Sequence, residues 1–108
     1  MRRGDLVTMA GQGDFGKPRT ALVVQSDLFA THPTVTVLAL TSDVKEAPML
    51  RVTVEPSEQN GLRVRSQVMI DKAFTYRREK CGPIFGRLDD ATMLAISRFM
   101  ALFLGIAS

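Results

Sequence analysis

The chain has 108 residues, of which 45% are hydrophobic and 23% charged, and its formal net charge is +3. That is enough for one domain with a real core and too little for two, so a single domain over residues 1–108 is expected. One cysteine, Cys81, and one histidine, His32, exclude an internal disulfide, a Cys/His metal cluster and a two-histidine acid/base pair within the chain.

No metal or other cofactor is therefore expected, and the thiol usage fits a reducing compartment, read as the cytoplasm. Arg2 and Arg3 resemble the start of a signal peptide, but Gly4 and Asp5 stand where its apolar stretch would begin. The basic balance favours acidic partners such as nucleic acid.

In chain order, residues 6–10 read as a first strand. Gly11, Gln12, Gly13, Asp14, Phe15 and Gly16 follow as a loop, around which the first and second strands pair as a hairpin. Residues 20–24 and 35–40 are short, partly β-branched and nearly all apolar, the pattern of strands covered on both faces. Arg19 stands at the mouth of one and Thr41 at the exit of the other. A guanidinium fixed at a strand end beside a hydroxyl is what a phosphate-handling site needs. Residues 26–33 have room for one helical turn. Residues 51–54 and, in part, 63–68 alternate polar with apolar, as half-exposed antiparallel strands do, which would place Arg63 and Arg65 on one face. Five or so short strands point to a small barrel or a strongly bent sheet.

The last third is helical. Asp89 is the expected N-cap, Asp90 adds negative charge to the first turn, and Gly105 is the stop. Within residues 91–104 only Thr92, Ser97 and Arg98 are polar; Met93, Ile96, Met100 and Phe103 make one stripe, and Leu94, Phe99, Leu102 and Leu104 spread apolar surface around the rest. A membrane span needs about 20 apolar residues, and this run is shorter and carries Arg98. The expectation is a helix packed on its own sheet and, in part, on a second subunit.

These residues together resemble the MazF/PemK/Kid group of toxins from bacterial toxin–antitoxin systems. Arg3-Gly4-Asp5 before a strand is similar to the family's opening. Residues 16–27 resemble its glycine-bearing loop, arginine and apolar strand, and Leu40-Thr41-Ser42 its third-strand exit. Residues 66–75 resemble a segment ending in threonine, and Leu88-Asp89-Asp90 opens a C-terminal helix like the family's. The resemblance implies a mainly β fold with a C-terminal α-helix, a small SH3-like barrel of about five to seven strands. It implies a homodimer that is a sequence-specific, metal-independent endoribonuclease of single-stranded RNA. In that chemistry the ribose 2′-OH attacks the adjacent phosphate. A cognate antitoxin would neutralise it through a disordered acidic tail, and the antitoxin complex would reach operator DNA.

By the same resemblance Arg19 takes the place of the catalytic arginine, Thr41 that of the catalytic threonine, and Asp71 that of a carboxylate which one branch uses as base. Lys17, Ser42, Lys72, Thr75, Tyr76, Arg77 and Arg78 are the expected RNA-binding positions. Two departures stand out. Pro18 precedes Arg19, where the family has proline after its arginine, and Phe74 replaces an arginine before Thr75. Tyr76 among cations suits stacking on a base with phosphate contacts nearby. Two alternatives share the fold. One is a gyrase poison like the CcdB group, suggested by Val24-Gln25-Ser26-Asp27 and Leu104-Gly105-Ile106. The other is an inactive homologue that binds only an antitoxin or DNA.

Overall fold

The computed structural model describes residues 1–10 and 18–107; the loop expected at 11–16, and Lys17 with it, lie outside the described residues. The strands are β1 (Asp5–Met9), β2 (Arg19–Val23), β3 (Thr34–Thr41), β4 (Arg51–Val54), β5 (Ser66–Arg77) and β6 (Cys81–Arg87), and α1 (Asp90–Phe103) follows. They form one antiparallel sheet in the order β4-β5-β3-β2-β1-β6. The expected mainly β fold with a C-terminal helix is thus what the chain adopts, and β1 and β2 pair with Leu6 opposite Leu22 and Met9 opposite Arg19.

Successive residues of a strand point to opposite faces, so the apolar runs of β1, β2 and β3 feed two cores. Leu6, Leu22 and Leu38 join Val54, Val68, Ile70, Leu88 and Ile96 in one buried cluster. Val7, Met9, Ala21, Val23, Val35 and Val37 form the other. Each of the larger side chains contributes about 1.5–3 kcal/mol through burial. The strand ends that carry Arg19 and Thr41 are therefore anchored from both sides.

Two strands differ from the sequence expectation. β5 begins at Ser66, so Arg63 and Arg65 precede it in irregular chain and share no strand face; Arg65 pairs instead with Glu55 at 3.0 Å. The cause lies just upstream, where Asn60 is buried and Gly61 takes φ +67, a left-handed turn that postpones the strand. β6 has no counterpart in the sequence expectation, because Cys-Gly-Pro-Ile-Phe-Gly-Arg reads as a turn-rich stretch. It is an edge strand with register shifts against β1, the setting in which proline and close-approach glycines are tolerated. A larger irregularity lies on β5, where Ala73 faces Leu38 but Val68 faces Leu40, so residues 69–72 bulge.

At the other end, the Asp89 carboxylate accepts from the Thr92 N–H at 2.9 Å, and Gly105 closes the helix at φ +74. The Arg3 guanidinium donates to the Val24 carbonyl and to the Ser97 hydroxyl, tying α1 to the end of β2. Asp5 holds Arg87 at 2.9 Å and accepts from the Arg2 N–H at 2.7 Å, which fastens β1 to the end of β6. Of the expected stripe, Ile96 is fully buried and Met93 and Met100 pack on the core, as does Phe99, but Phe103 is exposed. Leu94, Leu102, Leu104 and Ile106 are exposed too.

Candidate active site

Strand register sets the site. Val23 faces Val37 and Ala21 faces Ala39, so two residues further along, at the ends of β2 and β3, Arg19 comes level with Thr41. Both line an open groove of about 730 Å³, together with Thr20, Ser42, Arg63 and Phe85. The Thr41 hydroxyl accepts from the Asp43 N–H at 3.1 Å. A hydroxyl that accepts this bond still has its own proton to donate. The chain after Thr41 is clamped by Gln67, which is buried beneath it. Across the groove, residues 61–64 are held by Asn60, whose side-chain oxygen accepts from the Ser57 and Leu62 N–H groups at 3.0 and 2.9 Å while its NH2 donates to the Glu55 carbonyl at 2.9 Å. The groove thus has one hydroxyl-rich wall on strand ends and one wall on a loop with its own internal scaffold.

A second cavity, of about 400 Å³, opens on the other side of Arg19. Its floor is Met9, Ala21, Val37 and Ala39, and its wall is Phe74, Thr75 and Tyr76. The Thr75 hydroxyl is bonded to that of Thr36 at 2.9 Å. A polar groove and an apolar pocket therefore meet at one guanidinium.

The family model of the PemK-like, MazF-like toxins of type II toxin–antitoxin systems matches residues 2–104. A probable endoribonuclease MazF of Mycolicibacterium smegmatis is 42% identical over 108 residues, which cover 99% of both chains. The chain belongs to this toxin family. Solved structures agree at the level of fold: an endoribonuclease with its cognate antitoxin from a mycobacterial species aligns with a TM-score of 0.84 at 23% identity, covering 100% of this chain and 98% of the other. The Mycobacterium tuberculosis toxin MazF-mt6 aligns at 0.77 and 23% identity, covering 94% and 99%. Membership of the PemK/MazF family does not favour the gyrase-directed alternative.

Within this PemK/MazF chain the expected site residues do not all gather. Arg19, Thr41 and Ser42 line the groove; Thr75 and Tyr76 line the pocket beside it. Asp71 and Lys72 are exposed on the β5 bulge and line neither cavity. Arg77 is exposed and 3.9 Å from Glu79. The Arg78 guanidinium donates to the carbonyls of His32 at 2.8 Å and Phe29 at 3.3 Å, so it staples the turn at Asp27–Phe29 to the end of β5. Lys17 lies outside the described residues.

Sequence reasoning leaves two residues out of the site: Phe85 is hidden in a Gly/Pro-rich stretch, and Phe74 stands out only as a lost arginine. Arg63, which the sequence offers with Lys17 and Arg65 as an extension of a basic groove, does line the groove, but from irregular chain and not from a strand face. Burial pushes the Cys81 thiol up against the weaker pull of Arg78, and its side chain packs against the second core cluster.

Proposed function

We propose that this endoribonuclease toxin cuts single-stranded RNA at specific sequences by attack of a ribose 2′-OH on the adjacent phosphate, without a metal ion. The observation that carries the reading is that Arg19 and Thr41 come level at the open ends of neighbouring strands and line one groove. Arg19 clamps the phosphate with two parallel donors and stabilises the negative charge that grows on its oxygens. Thr41 donates its hydroxyl proton to one of those oxygens, while Asp43 fixes the hydroxyl's rotation. The 2′-oxygen bonds to phosphorus and the P–O5′ bond breaks, the leaving 5′-oxygen taking a proton from water in the open groove, which gives a 2′,3′-cyclic phosphate and a 5′-OH. The 2′ proton passes to water in the open groove, since Asp71, exposed on the β5 bulge, lines neither the groove nor the pocket and is assigned no part in the proton transfer. Among the described residues no three His, Cys, Asp or Glu side chains come together to hold a metal ion, and charge neutralisation is assigned to Arg19 and Arg63.

The exposed apolar residues at the end of α1 supply the face for a homodimer, and the basic groove suits the acidic tail of a cognate antitoxin. No described helix is long and apolar enough to cross a membrane. A cytoplasmic protein that reaches operator DNA through its antitoxin completes the reading.

The test is a long RNA incubated with pure protein in excess EDTA, with both new ends mapped. Discrete cuts bearing a cyclic phosphate, lost in Arg19→Ala and Thr41→Ala and retained in Asp71→Asn, are expected. Cleavage that vanishes in EDTA, or survives both alanine variants, would overturn the assignment.

A further inference from the structure

We infer that the pocket beside Arg19 takes an unstacked nucleobase, and that Phe74 is the residue that receives it. The inference rests on the RNA-cleaving reading above and assigns the place of one nucleoside within it.

Arg19 lines both cavities, so a phosphate held there in the groove has its own nucleoside within reach of the pocket. Phe74 and Tyr76 lie two residues apart on β5, facing Val37 and Val35 of β3, and their ring centroids are 6.2 Å apart at 51°. Tyr76 packs onto the buried cluster below, whereas Phe74 keeps 43% of its surface exposed. One ring is thus a fixed wall and the other a bare face. A ring held in this way on a strand is a stacking platform with little conformational entropy to lose. The volume, about 400 Å³, suits one nucleoside and is too small for two.

The pocket's chemistry also decides which of its residues can read a base. The floor residues Met9, Ala21, Val37 and Ala39 offer no strong side-chain donor or acceptor, and the Thr75 hydroxyl is engaged by Thr36. Stacking on the ring therefore accepts any base, and discrimination within the pocket falls to the polar groups of Arg19, Thr20 and Tyr76 at its rim. Where the family resemblance has an arginine, this chain has exchanged a charge for a stacking face.

A single-stranded 2′-O-methyl oligonucleotide with random flanks and a central 2-aminopurine tests this without strand scission. Wild-type protein should bind it and quench its fluorescence. Phe74→Ala and Phe74→Leu, which keep no ring, should bind about 5- to 100-fold more weakly and leave the probe bright. Phe74→Tyr should restore both signals, with thermal melts confirming that each variant folds. Equal binding and quenching by wild type and Phe74→Ala would overturn the inference. So would a Phe74→Ala variant that loses self-association on a sizing column while quenching as before, since the pocket would then belong to a contact between copies. The probe carries no free 2′-OH, so this readout and the EDTA cleavage assay fail independently.

Discussion

The side-chain amide of Gln67 pairs with the backbone of Lys45 in both directions, accepting from its N–H at 3.0 Å and donating to its carbonyl at 2.9 Å. The same amide accepts from Arg51 at 3.2 Å and donates to the Thr53 hydroxyl at 3.1 Å, and Arg51 reaches the Asp43 carbonyl at 3.2 Å. Gln67 faces Thr41 on β3 and Thr53 on β4, so a side chain does for the chain after Thr41 what a further strand rung would do. Gln67→Ala should cost about 1–3 kcal/mol, because several partners lose their bonds at once. The Lys45 amide, protected in wild type, should exchange with solvent at the rate of an open loop; unchanged protection would show that the clamp is incidental.

The Arg19–Thr41 pair makes a kinetic prediction that charge alone does not. Removing one preorganised donor from a transition state costs about 10²- to 10³-fold in kcat. Arg19→Lys keeps the charge and loses the planar fork, so it should recover little of that loss. Thr41→Ser keeps the hydroxyl within the Asp43 turn and should stay close to wild type, while Thr41→Val should fall with Arg19→Ala. Single-turnover cleavage of one defined RNA by the set separates donor geometry from charge.

Asp89 gives a pH-dependent prediction. Its hydrogen bonds to Thr92 hold its carboxyl below the ordinary carboxylate value, so the folded protein favours the ionised form. Stability from this cap is complete above the unfolded carboxyl's pKa, about 3.9, and is lost as the pH falls through the lower folded value. Asp89→Ala should cost about 0.5–2 kcal/mol at neutral pH and progressively less in acid. Asp89→Asn caps without titrating and should nearly match wild type at neutral pH. Urea melts of the three proteins at neutral and acid pH measure the difference.

What the sequence discloses follows from how local each cause is. The helix and its two caps are legible, because an Asp N-cap, an apolar run and a Gly stop are all short-range signals. The central strands are legible because both faces are buried, so their composition alone marks them. β6 is not, since its glycines and proline answer to the neighbours they approach and not to their own strand. Arg63 is misplaced for a related reason: alternation over a few residues imitates a strand, while the turn at Asn60 and Gly61 that breaks it is held by its packing against β6. Within the site, Arg19 and Thr41 are readable as strand ends, but the pocket joining Phe74 to Arg19 exists only once β2, β3 and β5 lie side by side.

Two glycines separate crowding from conformation and give the last prediction. A Cβ on Gly86 would sit 1.9 Å from the Asn60 carbonyl oxygen and 2.3 Å from its carbon, a clash with backbone that no rotamer relieves. Gly86→Ala must push away the segment whose Asn60 side chain organises residues 57–62, and with it the loop wall that carries Arg63 into the groove. The cost should reach at least the ~1–3 kcal/mol of an overpacked core, and RNA cleavage should fall with stability. Gly105 is the opposite case, with nothing within 4 Å of where a Cβ would stand but φ at +74. Gly105→Ala should cost about 1–2 kcal/mol of left-handed strain alone, and Gly105→Asn less, with cleavage by the folded protein unchanged. Melting curves and cleavage rates of the three variants decide it: an active, wild-type-stable Gly86→Ala would mean that the contact between β6 and Asn60 does not hold the groove wall in place.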